Sequence, residues 1–484
     1  MVATKIFRKL GEPTVFYDEG QQAGDLYSAE DILMSLGRGT PRYGYSIYAG
    51  KRVLPPGYAL YSVNGEHQVR REWTPLNGPT WQDTDESIIA KSIREKVMKI
   101  VAAQARDYKK VGLFLSGGLD STILAYCLQQ SGVEVVGYVC RFPEFPETDE
   151  TAYADLAARA FALPLRIVDI TKDFARTALD EINTVADRPV MCWSAISQLA
   201  VSRRAAEDGC ELLFSGLGSD ELFAGFSLMG RKYKVFQDHA EKAGPENTWK
   251  ALLGEASDLR TSLLFIGNAS PFPRQLLEEL FEHKLDHAFL EQDVVEYYRD
   301  LHTKYPDLDI AAMMCAWEME VRTSEMLWPD FATAAKITGV HVVYPFFDKE
   351  LLDWFSNIPM YHRFKFNHVG SLKYFPLVYN GIDKYILRLA FQEDIPIDTQ
   401  KRERMAFTAP FAWWLGDTAY RNEILGVIKQ SVFWHKMGLK KDMLDKLFAS
   451  DEKPNLLNQW NWAFQIFQLY MITRWMEKND KTNE

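Results

Sequence analysis

The stretch Val111-Gly-Leu-Phe-Leu-Ser-Gly-Gly-Leu-Asp-Ser121 decides the fold of this chain. Its first five residues carry no charge and predict a short buried strand, and the apolar residues 122–128 that follow predict a helix. The glycines between them mark a tight turn from strand to helix. Glycines in such a turn expose backbone N–H groups, and the helix N-terminus adds the positive end of its dipole, so the turn favours a polyanion.

The side chains of this loop add hydrogen-bond donors and a cation ligand. Hydroxyls on Ser116, Ser121 and Thr122 can donate to phosphate oxygens, and Asp120 can hold a divalent cation. The loop is not a Walker motif, because the lysine of the GK[ST] sequence is missing. An ordinary glycine-rich turn is the structural alternative. The full set of residues 116–121 between a strand and a helix favours a phosphate loop instead.

Strands and helices alternate on both sides of the loop. An apolar stripe that begins at Ile88 and includes Ile93 and Val97 predicts a helix before the loop. Further strands are predicted over residues 133–139, 165–168 and 212–214, and further helices over residues 151–161 and 194–208. This alternation predicts an α/β fold with a doubly wound parallel sheet.

The chain divides into a short first part and a long second part. Residues 1–80 are rich in turns, with short apolar alternations such as Tyr58-Ala-Leu-Tyr-Ser-Val63, and predict a small β segment. Residues 81–484 hold the α/β core and then long helical patterns that are interrupted at prolines. Residues 460–477 predict an aromatic-rich amphipathic helix. The predicted plan is a short N-terminal β segment, an α/β core and a helical C-terminal part.

Composition narrows the classes of partner and compartment. The 484 residues carry a net charge of −11 at pH 7, which repels phosphate backbones and disfavours nucleic acid as a partner. The longest apolar run, residues 310–317, is far shorter than the roughly 20 residues that a membrane span needs, and the first residues lack the apolar core of a signal peptide. The five cysteines form no Cys-x-x-Cys pair. We therefore expect a reduced, cytoplasmic protein with no membrane partner.

The loop and later motifs resemble one enzyme superfamily. Residues 116–121 are similar to the pyrophosphate loop of the N-type ATP pyrophosphatases, which cleave ATP between its α and β phosphates and transfer AMP to a substrate oxygen. Ser215-Gly-Leu-Gly-Ser-Asp-Glu-Leu-Phe-Ala-Gly-Phe226 is similar to the asparagine synthetase signature SGEGSDE(L/V)FGGY. Four more segments resemble elements of the same family: Asp187-Arg-Pro189, Tyr344-Pro-Phe-Phe-Asp348, Asp383-Lys-Tyr-Ile-Leu-Arg388 and Arg402-Glu-Arg-Met-Ala-Phe407. The chain is identified as a member of the asparagine synthetase and β-lactam synthetase superfamily.

The resemblance implies an ATP site with Mg²⁺. The two carboxylates implied as Mg²⁺ ligands are Asp120 and Asp220, although Asp220 and Glu221 also open a helix, where capping is a structural alternative. Asp149-Glu150 resembles the pair that follows the adenine-binding strand, with a helix cap as the alternative. The residues implied in ATP binding are Leu115, Ser116, Gly117, Gly118, Leu119, Asp120, Ser121, Thr122, Cys140, Ser215 and Gly216.

Two positions in the family motifs differ here. The glutamate of SGEGSD is Leu217, and the lysine of the R-x-K motif falls on Arg404, or on Lys401 if the alignment is shifted. Ser324-Glu-Met326 resembles the T-E-M segment of β-lactam synthetases, whose glutamate belongs to an acid–base pair. The resemblance therefore implies Glu325 as the base and Arg404 or Lys401 as the cation beside the tetrahedral oxyanion. A solvated charged surface is the alternative for residues 401–404.

The resemblance is incomplete at the N-terminal side. Residues 44–73 are similar to the last strands of the glutaminase domain of asparagine synthetases, whereas Val2 follows Met1 where that domain has its cysteine nucleophile. Residues 1–80 are thus interpreted as a truncated glutaminase-like β segment, and residues 81–484 as the synthetase domain. Without a thiolate no glutaminyl thioester can form, so we expect this chain not to hydrolyse glutamine.

Together these features predict a ligase that adenylates a carboxylate, releases pyrophosphate and transfers the acyl group to ammonia or an amine. The hybrid motifs favour synthesis of a specialised metabolite or amino-acid derivative from a small-molecule carboxylate and amine. A homo-oligomer and a separate ammonia-supplying subunit stay open. The alternatives are an ammonia-dependent asparagine synthetase and a catalytically idle scaffold or partner of a separate amidotransferase. A tRNA-modifying relative is disfavoured by the acidic net charge.

Overall fold

A five-stranded parallel sheet lies at the centre of the structure. The structure is a computed structural model that describes residues 4–10, 12, 14–18, 26–63, 66–77, 85–254, 259, 272–281, 284–286, 289–355, 358–366, 381–402, 409–449 and 456–481. In chain order the strands of this sheet, called the first to fifth sheet strands below, are Lys110–Phe114, Glu134–Arg141, Leu165–Asp169, Leu212–Phe214 and His341–Val343. Across the sheet they run fifth, fourth, first, second, third, and every neighbouring pair is parallel. This order is doubly wound and reverses between the first and fourth strands, so the predicted α/β class is confirmed.

Helices connect the sheet strands and cover the sheet. The helix before the first strand is Glu86–Ala105, and its buried stripe includes Ile89 and Ile93. Ile88 is 58% exposed, so the stripe begins one residue later than the sequence predicted, because successive helical residues differ by about 100° around the axis. The other helices of this part are Leu119–Ser131, Thr151–Ala160, Lys172–Val185, Ser194–Glu207 and Ser219–Leu222.

The N-terminal part is built mainly of short antiparallel strands, as predicted. Thr4–Phe7, Tyr58–Val63 and Glu66–Arg71 form a three-stranded sheet, and Phe16–Asp18 pairs with Lys51–Val53. The sequence reading did not anticipate the helix Ala29–Arg38, which Ser28 caps by accepting the Asp31 N–H. A 3₁₀ turn, Pro75–Asn77, follows the last strand.

The C-terminal part is helical, as predicted. The helix predicted over residues 460–477 extends over Leu456–Lys481. Within the described residues, no helix combines the length and the apolar composition that a membrane crossing requires. The remaining elements are the helices Ser227–Ala243, Pro245–Leu253, Arg274–Leu280, Gln292–Lys304, Ile310–Trp317, Trp328–Thr338, Lys349–Phe355, Met360–Arg363, Tyr385–Phe391, Ile397–Lys401, Phe411–Trp414, Thr418–Gln430, Val432–Lys436 and Lys441–Ala449, the 3₁₀ turns Pro146–Thr148 and Pro345–Phe347, and the short strands Lys365–Phe366 and Gly381–Ile382.

A π-helix interrupts the helical part at Glu318–Leu327, between the helices Ile310–Trp317 and Trp328–Thr338. The Ser324 hydroxyl donates to the Met319 carbonyl oxygen, five residues back, at 2.6 Å. π-Helical turns are rare and occur frequently at functional sites. Most side chains of this segment are buried, including those of Glu318, Glu320 and Glu325. Buried carboxylates need charged or hydrogen-bonding partners, which makes the π-helix a place to look for function.

Candidate active site

The two motif loops meet at the carboxyl edge of the sheet. The phosphate loop, residues 116–121, follows the first sheet strand, and residues 215–219 follow the fourth strand beside it. The Ser219 hydroxyl donates to Asp120 Oδ1 at 2.7 Å and joins residues that are 99 positions apart. In doubly wound folds, ligands bind outside the strand ends where the strand order reverses, and both loops lie at that point.

The phosphate loop, called the anion cradle below, is closed by its own hydrogen bonds and leaves the start of the next helix without a side-chain cap. The Gly118 N–H donates to Ser116 Oγ at 3.2 Å, and the Ser121 hydroxyl donates to the Gly118 carbonyl oxygen at 3.2 Å. No side chain caps the helix Leu119–Ser131, because Gly118 occupies the N-cap position. The N–H groups of its first turn are therefore left for an external acceptor. The buried Thr122 hydroxyl also has no partner within the described part of the chain.

Other residues that the sequence assigned to ATP binding support the loops through the backbone. Leu115 is buried, and its N–H donates to the Tyr138 carbonyl oxygen of the second strand at 2.8 Å. The Ser215 N–H donates to the Val343 carbonyl oxygen of the fifth strand at 3.0 Å. Cys140 is half-buried near the carboxyl end of the second strand, and burial raises the pKa of its thiol to about 12. These contacts place the residues around the edge but leave their role in binding a prediction.

A lysine joins the two carboxylates that the sequence assigned to Mg²⁺. Lys384 Nζ lies 2.5 Å from Asp120 Oδ2 and 2.8 Å from Asp220 Oδ1. The lysine side chain is 5% exposed, against 22% for Asp120 and 25% for Asp220. The two carboxylates therefore converge on one cationic point between the loops.

Local backbone features bring Lys384 to this point. Lys384 has a φ of +49°, in the left-handed region that side chains other than glycine seldom adopt, and it immediately precedes the helix Tyr385–Phe391. A Cβ atom on Gly225 would lie 2.0 Å from Asp220 Oδ1 and 2.1 Å from Lys384 Cε, so only glycine fits there. Backbone strain of this kind costs on the order of 1–3 kcal/mol and clusters at functional sites.

The same point suits Mg²⁺ by the chemistry of its donors. The Lys384 ammonium shows that Asp120 and Asp220 can share one cation. Within the described residues, no three or more His, Cys, Asp and Glu side chains are grouped as a metal cluster. Proteins nevertheless often bind Mg²⁺ with only one or two carboxylates, because substrate phosphates and waters supply its other ligands. Asp120 and Asp220 would hold the ion.

Glu221 has a structural position rather than one at the cation point. Its Oε2 accepts the Gly218 N–H at 3.1 Å, and its Oε1 accepts the Thr323 hydroxyl at 2.7 Å. Burial raises the pKa of this carboxyl. Glu221 therefore caps the short helix Ser219–Leu222. Its bond with Thr323 also connects the loop after the fourth strand to the π-helix.

Glu325 lies buried on the π-helix between two arginines. Its Oε1 accepts a hydrogen bond from Arg8 Nη1 at 2.7 Å, and Arg188 Nη1 lies 3.4 Å from Oε2. Arg8 is fully buried and also donates to the Leu54 carbonyl oxygen at 2.8 Å. Both oxygens of the predicted base therefore have cationic partners, one from the N-terminal part and one from the Asp187-Arg-Pro189 motif.

The first arginine of the R-x-K motif contacts the phosphate loop, whereas the role of Arg404 or Lys401 beside the oxyanion stays a prediction. Arg404 lies outside the described residues, and Lys401 is exposed at the end of the helix Ile397–Lys401. Arg402 Nη1 donates to the Ser116 carbonyl oxygen at 2.7 Å. Among the described residues of this motif, Arg402 lies against the loop.

Several residues of this region were missed by sequence reasoning. Lys384, Arg402 and Arg188 all stand inside motifs that the sequence singled out, but the motifs did not show which side chain turns towards the loops. Arg8 had no sequence signal, because an isolated arginine in a turn-rich segment has the composition of an ordinary surface.

Comparison with known proteins finds a family that the chain matches over most of its length. A family model described as asparagine synthase matches residues 92–477. Asparagine synthetase (glutamine-hydrolyzing) 1 of Bacillus subtilis is 25% identical over 352 residues, which are 69% of this chain and 51% of that protein. Amidase chyE of Penicillium rubens is 20% identical over 436 residues, 80% of this chain and 62% of that protein. The chain spans less than two thirds of the length of either relative.

Proposed function

Because the chain belongs to the asparagine synthase family, we propose that it is an ATP-dependent ligase that forms an amide or another C–N bond. A substrate carboxylate attacks the α-phosphorus of ATP, pyrophosphate leaves, and the acyl-adenylate reacts with ammonia or an amine. The carboxylate belongs to a specialised metabolite or an amino-acid derivative, and the protein acts in the cytoplasm, alone, as a homo-oligomer or with a separate source of ammonia.

The arrangement of Asp120, Lys384 and Asp220 beside the phosphate loop carries this proposal. It combines an anion cradle with a cation point at the strand ends where a nucleotide would bind. When bound, Mg²⁺ would neutralise the charge that develops on the departing pyrophosphate. Lys384 can donate hydrogen bonds to the same phosphate oxygens once the carboxylates turn to the metal. An idle scaffold would not need a strained lysine at this position.

Glu325 is proposed as the base for the attacking amine. To accept a proton it must release one of its two partners, and the Arg188 contact at 3.4 Å is longer than the Arg8 bond at 2.7 Å. We therefore assign the proton to Oε2, with Arg8 holding Oε1. The amine nitrogen attacks the acyl carbon and gives its proton to Glu325, and AMP leaves with the bonding electron pair.

The nucleotide products test the proposal. The purified protein is incubated with ATP, Mg²⁺ and a panel of carboxylates, with hydroxylamine to trap acyl-adenylates, and AMP, ADP and pyrophosphate are quantified. We expect AMP and pyrophosphate that depend on the carboxylate. Asp120→Asn and Asp220→Asn should each lower the rate by about 10²-fold or more, as the loss of a metal ligand does. ADP as the product would contradict the proposal.

Two further arms separate the alternatives. Asp107→Asn, at an exposed aspartate remote from the loops, is the matched control and should keep the rate of the unmodified protein. Aspartate with ammonium tests for asparagine synthesis, which the similarity to the Bacillus subtilis protein favours as a second candidate. Asparagine as the preferred product would select that candidate, and no nucleotide cleavage with any carboxylate would favour the scaffold.

A further inference from the structure

Arg402 is buried against the phosphate loop. Its side chain is 4% exposed. Its Nη1 donates to the Ser116 carbonyl oxygen at 2.7 Å, and its Nη2 donates to Glu150 Oε1. The guanidinium carbon lies 4.1 Å from the centre of the Tyr153 ring. One side chain therefore contacts both the loop and the start of the helix Thr151–Ala160 that follows the second sheet strand.

The guanidinium lies close to the part of the loop that offers backbone N–H groups. Gly117 has a φ of +72°, and a Cβ atom there would lie 2.3 Å from the Tyr153 carbonyl carbon, so the loop packs directly on the helix start. A Cβ atom on Gly118 would lie 3.9 Å from Arg402 Nη1. The guanidinium thus lies beside the glycine that precedes the uncapped start of the helix Leu119–Ser131.

The hydrogen bonding of Arg402 is incomplete within the described residues. A guanidinium has five N–H donors, and the buried Nε–H has no partner in that part of the chain. Glu150 accepts from Nη2 and leaves the buried Nε–H for another acceptor. An incompletely satisfied buried arginine beside an anion cradle is suited to a stronger anion than a carboxylate.

We propose that Arg402 is a phosphate ligand of the nucleotide and that Glu150 holds it beside the loop until ATP binds. The inference rests on the ATP binding proposed above. Phosphate and Glu150 compete for the same guanidinium, so the two side chains have opposite effects on affinity. Removing the arginine weakens ATP binding, whereas neutralising the glutamate strengthens it. A pair that merely braces the loop would give a loss of affinity on both changes.

The test is calorimetric titration of the purified protein with MgATP, pyrophosphate and AMP. Arg402→Ala should weaken MgATP binding by about 10- to 100-fold, the effect of losing a charged hydrogen bond. Arg402→Lys should retain part of the affinity, because it keeps the charge without the planar fork. Glu150→Gln should tighten binding by about 3- to 10-fold, since a neutral amide competes less well than a carboxylate. The pyrophosphate and AMP titrations show which phosphates the arginine serves.

A second ion pair supplies the controls. Arg94 Nε lies 2.6 Å from Asp394 Oδ2 and joins segments 300 positions apart without contacting the loop. Arg94→Ala and Asp394→Asn should leave the MgATP affinity unchanged, and thermal unfolding checks that each variant is folded. If Arg402→Ala does not fold, Arg402→Lys and Glu150→Gln still give the required signs.

Two results would overturn the inference. Weaker MgATP binding in Glu150→Gln would make the pair a brace, and unchanged affinity for all three probes in the Arg402 variants would remove the arginine from the nucleotide site. Failure of the proposed function is distinguishable, because the unmodified protein would then not bind MgATP at all.

Discussion

Lys384 reaches the candidate site from a segment that is distant in sequence. It contacts Asp120, 264 positions earlier in the chain, and its ammonium lies between two carboxylates that would otherwise face each other. Two carboxylates that contact the same ammonium would repel each other without it, most strongly where the surroundings are only partly solvated. Lys384 therefore stabilises the folded protein by neutralising this repulsion before any nucleotide is bound.

Replacing Lys384 with methionine should destabilise the protein in a way that Mg²⁺ reverses. The carboxylates are 22% and 25% exposed, so solvent screens part of their repulsion, and we expect a loss of about 1–3 kcal/mol in the free energy of unfolding. Mg²⁺ should restore it, because an ion that binds only the folded state stabilises that state. Urea unfolding with and without magnesium chloride measures both effects.

Lys365→Met is the control for this prediction. Lys365 pairs with Glu86 at 2.5 Å, away from the loops. Its loss should not create a response to Mg²⁺. An equal response of the two variants would show that the ion acts elsewhere.

At the residue scale, the sequence predicted the loop better than the side chains that converge on it. The residue types and order of positions 116–121 are set by the strand, the turn and the anion cradle, so they could be read locally. Lys384 and Arg402 depend on contacts 264 and 286 positions away, and local pattern carries no information on such distances. Arg404 lies outside the described residues, and the roles of Arg404 and Lys401 beside the oxyanion stay predictions.

Among the elements, the helix Trp328–Thr338 orders the segment before the helix Ser194–Glu207. Asp330 Oδ2 accepts the N–H groups of Met191 and Cys192 at 3.2 and 3.1 Å. Burial raises the pKa of Asp330 to about 8, with nearby Arg188 acting in the opposite direction. The Asp330 carboxyl thus fixes the segment before the helix Ser194–Glu207, and its contribution to stability depends on whether it is ionised.

This pKa gives the stability of the protein a pH dependence of known sign. The pKa of an aspartate in an unfolded chain is about 3.9. Between that pH and about 8, Asp330 therefore keeps a proton in the folded state that it loses in the unfolded state. The Asp330 contribution to the free energy of unfolding therefore falls as pH rises through this window. Asp330→Asn retains an acceptor oxygen but cannot ionise. Above that window its free energy of unfolding should be about 1–3 kcal/mol larger than that of the unmodified protein.

Urea unfolding across the same pH range checks this prediction. Asp398→Asn, at an exposed aspartate, is the control and should keep the slope of the unmodified protein. Parallel curves for Asp330→Asn and the unmodified protein would show that Asp330 does not titrate in this window.

The elements around the phosphate loop that have a clear period or a purely apolar run were predicted. The strand Leu212–Phe214 and the helix Ser194–Glu207 lie within a residue of their predicted bounds. The fifth sheet strand, His341–Val343, is as short as Leu212–Phe214 but begins at an exposed histidine, so it does not stand out as an apolar run. The π-helix Glu318–Leu327 has a wider turn than the 3.6-residue period used to find helices, so its buried face could not be read from the sequence.

In the whole molecule, buried ion pairs tie the N-terminal part to the synthetase part. Arg8 pairs with Glu325 at 2.7 Å, and Arg71 pairs with Glu320 at 2.6 Å. Both glutamates are on the π-helix, so the N-terminal strands contact the segment that carries the proposed base. The division near residue 80 remains a prediction about sequence, and these contacts show that the described parts pack closely across it.

A double-mutant cycle tests the Arg8–Glu325 connection. Arg8→Ala leaves a buried carboxylate with one partner and should cost about 3–5 kcal/mol in the free energy of unfolding. Adding Glu325→Gln should recover part of that loss, with an interaction energy of about 0.5–3 kcal/mol from urea unfolding. Lys9→Ala, at an exposed neighbour, is the control. Strictly additive losses would show that the two residues do not stabilise each other.

The five cysteines, all within the described residues, are poorly suited to act as the nucleophile of a glutaminase. Burial raises the pKa of all five thiols, to about 12 for Cys140 and about 11 for Cys315, whereas the thiolate is the reactive form. We expect no glutamate release when the purified protein is incubated with glutamine. Release above that of a mock purification, and its loss on alkylation of the thiols, would contradict this expectation.

The sheet order also determines when the candidate site can form during synthesis on the ribosome. The phosphate loop emerges early, whereas the fifth sheet strand that supports Ser215, and then Lys384 and Arg402, emerge only after more than two thirds of the sequence is translated. Chains fold progressively from the N-terminal side as they are made. A nascent chain that stops before Lys384 thus presents Asp120 without its cation and an incomplete cradle. The proposed ATP binding would therefore protect only chains in which Lys384 and Arg402 have already been added.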